Sequence, residues 1–151
     1  MHGFISYAHC DAEQVDRLRR QLIPVTRKLG IDLWIDDQIQ PGDLWDGKIK
    51  DALAAAELFI FCVSSDLLFS RYVDQIELRK AREKRNRGEA LMVPVILRDC
   101  LWDWVDAFAE LQAVPKHGRA IQLWSPQDAG YADAARRIGA MLKDYLAGTS
   151  S

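Results

Sequence analysis

Few residues of this chain stand in patterns able to do chemistry, and most near-matches fail on a single position. Gly42-Asp43-Leu44-Trp45-Asp46-Gly47-Lys48-Ile49 has the glycine and lysine spacing of a phosphate-binding loop. Such a loop needs a hydroxyl for Mg²⁺ where Ile49 stands, and Asp43 and Asp46 would meet the phosphates with like charge. A dinucleotide fingerprint needs glycines straight after the first strand, and Tyr7-Ala8-His9-Cys10-Asp11 has none. A phospho-receiver site would want acids near the first strand and an Asp closing the third. The third run instead ends Val63-Ser64-Ser65, and Asp66 beyond it reads as a helix cap. Cys10, Cys62 and Cys100 are odd in number and widely spaced, so neither a disulfide framework nor a zinc site is expected. His9 reads as a polar loop residue.

Glu77 is one of 22 acidic residues, and local pattern alone does not single it out. On a helix it shares a face with Val73 and Asp74 before it and Lys80 and Ala81 after it. Pattern alone makes it a solvated acid paired with Lys80 at i,i+3, a contact worth roughly 0.2–0.5 kcal/mol. The basic run from Arg79 to Arg87 suits a helix C-terminus, where cations complement the dipole. No aromatic residues interleave with those charges, which argues against nucleic acid.

The elements that must position these residues alternate between short apolar runs and longer amphipathic stretches. Phe4-Ile5-Ser6-Tyr7 is the first strand. Asp11 as cap and Gln14 reaching back open a helix whose face is Val15, Leu18, Leu22, Val25 and Leu29. Pro24 should kink it, and Gly30 ends it. Ile31 to Ile35 is the second strand, Asp36 to Asp43 a polar loop, and Trp45, Ile49 and Leu53 the next helical face. Leu58 to Val63 is the most continuously apolar run, as a central strand covered on both sides should be. A helix is expected from Asp66 to about Arg87, then a fourth strand from Leu91 to Leu97. Pro94 makes part of that strand edge-like. Asp99 to Pro115 mixes helical and irregular spacing. Ala120 to Trp124 reads as a fifth strand, and Ser125-Pro126-Gln127-Asp128 opens a last helix lined by Tyr131, Ala135, Ile138, Leu142 and Tyr145. The expected fold is α/β: a five-stranded parallel sheet, flavodoxin-like, with helices on both faces and a ligand crevice beyond the strand carboxyl ends.

Composition narrows the classes further. The 151 residues suit one domain, expected over 1–147, with 148–151 a flexible tail or linker start. Hydrophobic residues make up 49% and charged residues 28%, a globular balance, and the net charge of -2 provides no basic field for nucleic acid or membranes. No apolar run reaches membrane-spanning length, and no signal peptide is visible, so a cytoplasmic location is expected.

Read in order, these segments resemble the TIR (Toll/interleukin-1 receptor) domain family, in its bacterial, NAD⁺-cleaving form. Phe4-Ile5-Ser6-Tyr7-Ala8-His9 with Asp11 is similar to the first box. Trp34-Ile35-Asp36-Asp37 through Pro41-Gly42 to Trp45 resembles the second box and BB loop. Ile49, Ala52-Leu53 and the run into Val63-Ser64-Ser65 continue the likeness. Ser70-Arg71-Tyr72 leading to Glu77-Leu78 resembles the helix that carries the family's catalytic glutamate. Leu111-Gln112-Ala113-Val114-Pro115 and Trp124 resemble a bacterial branch.

The resemblance implies an NAD⁺ glycohydrolase with Glu77 catalytic. Phe4, Ser6 and Tyr7 would line the nucleotide crevice, Asp36 and Trp45 would border it, Tyr72 would stack, and Asp74 would tune Glu77. Phe4 and Trp45 are equally readable as core. NAD⁺ would be substrate, with no metal and no separate cofactor. One carboxylate suffices because nicotinamide leaves a pyridinium as a neutral molecule, whereas ordinary glycosidases must protonate their leaving group. The family pattern also implies partners: other TIR domains joined through the BB loop into an oligomer or filament, and a sensor domain or protein, often in antiphage defence. A linear or a cyclic ADP-ribose product, base exchange, and a non-catalytic adaptor all stay open.

Overall fold

In a computed structural model of the chain, described over residues 1–35, 45–69 and 77–149, four parallel strands form one sheet in the order β2-β1-β3-β4. They are β1 His2–Ser6, β2 Asp32–Ile35, β3 Leu58–Val63 and β4 Leu91–Ile96. The helices are α1 Ala12–Leu29, α2 Trp45–Ala55, α3 Ser65–Phe69, α4 Leu78–Asn86, α5 Asp106–Ala109 and α6 Gln127–Thr149. None of the described helices is long and apolar enough to cross a membrane.

The strand pleat sorts the core into two layers. Ile5, Leu58, Ile60, Cys62, Val93 and Val95 point to the face covered by α1 and α6. Phe4, Phe59, Phe61, Val63 and Met92 point to the face covered by α2, α3, α4 and α5. Every residue of β3 is buried, as its unbroken apolar run requires of a strand with neighbours on both edges and helices on both faces. α1 buries Val15, Leu18 and Leu22 at the expected helical spacing and continues through Pro24 as one element. Gly30 closes it at φ 67°, a left-handed angle that a side chain would resist.

One expectation changes. The expected fifth strand, 120–124, is instead a 3-10 turn over Ile121–Leu123, closed by Leu123 N–H to Ala120 O and Trp124 N–H to Ile121 O. Among the described residues, the outer edge of β4 carries a single parallel bridge, Val95 to Val114. Pro94 explains why pairing stops there. Leu91 and Leu97 donate to β3 residues or their neighbours, Glu57 O and Val63 O, whereas Ile96 donates outward to Val114 O. Donors at odd positions therefore face β3 and those at even positions face outward, so Pro94 removes an outward donor and leaves the β3 ladder whole. The helix expected over 66–87 includes 70–76, which lie outside the described residues; α3 and α4 flank that stretch. At the C-terminus α6 runs to Thr149, two residues into the stretch expected to be a tail.

Candidate functional site at the carboxyl end of the sheet

β1 ends on Ser6, whose side chain points into the α2–α5 layer together with Phe4 two residues before it. Its hydroxyl donates to Oε2 of Glu77, the residue that opens α4. Both side chains are buried, Ser6 at 1% exposure and Glu77 at 0%. This excludes the solvated acid that local pattern favoured, and Lys80 lies exposed instead. A carboxyl group withdrawn from water must be hydrogen-bonded or neutralised. Ser6, 71 residues away in sequence, supplies one such bond.

The other expected site residues scatter. Phe4 is core, stacked on Trp34 with ring centroids 5.1 Å apart and tilted against Phe59 at 6.3 Å. Tyr7 points to the opposite face, into the α1–α6 layer, edge-on to His9. Trp45 begins α2, and its side chain lies outside the described residues, as do Asp36, Tyr72, Asp74 and the whole 36–43 loop. Ser6 and Glu77 are thus the pair that the described structure brings together.

Sequence reasoning missed a separate cluster around Asp11. Asp11 caps nothing with its side chain. It is buried at 1% exposure and accepts hydrogen bonds from the Ser64 hydroxyl and from Arg98 Nε at 3.1 Å. Ser64 in turn accepts from the N–H of Leu67 at 3.3 Å, so Ser64 rather than Asp66 caps α3. Asp66 pairs with Arg98 instead, and that hydrogen bond, ahead of one from Cys10, holds its carboxyl below the usual range. Cys10, Asp11 and Asp66 present ligand-type atoms within 4.8 Å of one another, but the Arg98 guanidinium already supplies their cation.

No cysteine is primed as a nucleophile. The Cys10 thiol is raised by desolvation first and then by Asp66 and Asp11, Cys62 is raised far by complete burial, and Cys100 is raised by desolvation. A thiol is activated at neutral pH when its pKa is lowered, and these are raised. The basic run is largely engaged within the chain. Arg82 and Arg85 reach Glu110 at 3.4 and 2.9 Å, Arg87 reaches Glu89 at 3.2 Å, and Lys84 is buried.

The TIR resemblance puts Glu77 on the helix that carries the family's glutamate, and the family model for the TIR domain matches residues 4–137. The chain belongs to the TIR domain family. The uncharacterized protein y4lF of Sinorhizobium fredii (strain NBRC 101917 / NGR234) is 35% identical over 136 residues, which cover 89% of this chain and 42% of that protein. This TIR domain therefore spans less than half the length of that relative.

Proposed function

We propose that this TIR domain cleaves NAD⁺ to nicotinamide and an ADP-ribose product, with Glu77 as the catalytic carboxylate. The observation that carries the reading is the burial of Glu77 against Ser6. A helix-surface acid would stay in water, and a buried one is retained at a cost that structure alone does not require. Departure of neutral nicotinamide leaves a ribosyl cation, and a desolvated anion stabilises that charge more than it would in water. Water captures the cation to give ADP-ribose, or the substrate's own adenine captures it to give a cyclic product.

Full burial of Glu77 in the single chain also supports activity that depends on assembly. Association with neighbouring copies through the 36–43 loop would uncover the carboxylate and complete the pocket. Specific activity should then rise with protein concentration, and Gly42→Pro should weaken self-association and cleavage together. The second reading is a non-catalytic adaptor acting through TIR–TIR contacts, since the family match covers adaptors as well as NAD⁺-cleaving domains.

The deciding experiment incubates concentrated protein with NAD⁺ and separates the products chromatographically, for wild type and Glu77→Gln. Loss of NAD⁺ that vanishes in the variant supports the enzyme. Near-wild-type turnover by the variant removes Glu77 from the mechanism, and intact NAD⁺ at every wild-type concentration removes the enzyme reading and leaves the adaptor.

A further inference from the structure

α4 is held to the body of the protein by little apolar surface for a helix that covers a sheet. Its sequence, Leu78 to Asn86, contains one large apolar side chain, Leu78, and one small one, Ala81. The residues that face inward are Glu77, Leu78, Ala81 and Lys84, at 0%, 7%, 0% and 8% exposure. Two of those four are ionisable, and they stand at the two ends of the set, about 10 Å apart along the axis at the rise of an α-helix.

The far end is as firmly engaged as the Glu77 end. Lys84 Nζ crosses to the C-terminus of α2 and donates to Ala54 O at 2.8 Å, Leu53 O at 3.4 Å and Ala56 O. It also lies 5.8 Å from the centre of the Phe59 ring, within cation–π range. The last carbonyls of a helix lack partners within it and carry the negative end of its dipole. An ammonium has three donors and a full charge, and here three carbonyls converge on it. A guanidinium is a flat fork and fits such a convergence less well. Burial lowers the Lys84 pKa, with Glu89 and Glu57 acting in the opposite sense.

We propose that Lys84 is a positioning residue that fixes α4, and through it Glu77, against the C-terminal end of α2. For catalysis the proposal rests on the NAD⁺-cleavage reading, whereas the tether itself does not. With one polar anchor at each end, the helix can neither slide along its axis nor tilt away from the sheet without breaking buried hydrogen bonds. α2 begins at Trp45, directly after the 36–44 segment in sequence, so the same contact ties the helix that carries Glu77 to the one that follows the BB loop.

The test compares wild type with Lys84→Met, which keeps the apolar stem and removes the donors, Lys84→Arg, which keeps the charge, and Lys80→Met, an exposed control on the same helix. Amide hydrogen exchange is read by element, alongside kcat and KM for NAD⁺ in assembled protein. Lys84→Met should speed exchange over 78–86 about tenfold, the equivalent of one or two lost hydrogen bonds, and leave α1 and α6 unchanged. It should lower kcat with little change in KM, Lys84→Arg should recover part of both losses, and Lys80→Met should match wild type. Exchange in Lys84→Met within twofold of wild type would overturn the tether. A loosened α4 with unchanged kcat would overturn the positioning role. If Lys84→Met does not fold, Lys84→Arg decides by the same two readouts. If wild type cleaves no NAD⁺, the catalytic reading fails separately and the exchange data alone judge the tether.

Discussion

The Ser6–Glu77 hydrogen bond can be weighed without assuming any activity. Ser6→Ala removes one buried oxygen and almost no volume, so the main loss is the donor to Glu77 Oε2. A hydrogen bond to a charged group contributes about 1.5–3 kcal/mol, and one between neutral groups about 0.5–1.5 kcal/mol. Glu77→Gln keeps an oxygen acceptor for the Ser6 hydroxyl and removes the capacity for charge. Ser6→Ala should therefore cost more in the wild-type background than in the Glu77→Gln background. The expected coupling between the two sites is about 1–2 kcal/mol. Urea unfolding of wild type, both single variants and the double variant measures it, provided the slope with denaturant is the same in all four. Single-variant effects that add to within about 0.5 kcal/mol would mean the two groups do not communicate. In that case the burial of Glu77 would no longer point to a function.

Three further expectations follow from the packing and the charges. Phe61 is fully buried and tilted against Phe108 at 5.5 Å, so Phe61→Ala should cost about 3–5 kcal/mol in urea unfolding, and a loss under about 1 kcal/mol would contradict the layer assignment. Gly118 sits at φ +67°, and an added Cβ would come 2.6 Å from Trp102 Cζ2, so Gly118→Ala should lower the melting temperature by an amount matching about 1–2 kcal/mol of backbone strain. An unchanged melting temperature would refute that. The Asp66 carboxyl is held below its ordinary value of 3.8 by Arg98, so the pair stabilises the fold above that pH and the benefit is lost as pH falls through the lowered value. Unfolding at pH 7 and pH 3 should show a shallower decline for Asp66→Asn than for wild type, and equal declines would remove Asp66 from the acid response.

Where neighbours in sequence are neighbours in space, the chain is readable. The Val15–Leu18–Leu22 spacing, Gly30 behind it and the unbroken apolar run of β3 each express a local geometry, and each stands in the structure as expected. Contacts between distant segments are another matter. Asp11 precedes a helix and looks like a cap, but its carboxylate is claimed by Ser64 and by Arg98, 87 residues later. Lys84 sits in a run of cations that reads as a solvated face, and its burial depends on carbonyls some 30 residues earlier. The burial of Glu77 was equally hidden, because α4 shows almost no apolar periodicity to mark which side faces in. Ala120 to Trp124 is a short, mostly apolar run that reads as a strand, but the edge it would have joined lacks a donor at Pro94.

That missing donor has a bearing on how the protein behaves in a crowded cell. An open sheet invites foreign strands to its margin, and the invitation is strongest where hydrogen-bonding groups run unbroken. On the outer margin of β4 the chain covers one position with Val114 and silences the next with a proline ring. A stray extended segment arriving there meets an interrupted template. Edge-to-edge pairing of sheets along this margin is disfavoured accordingly.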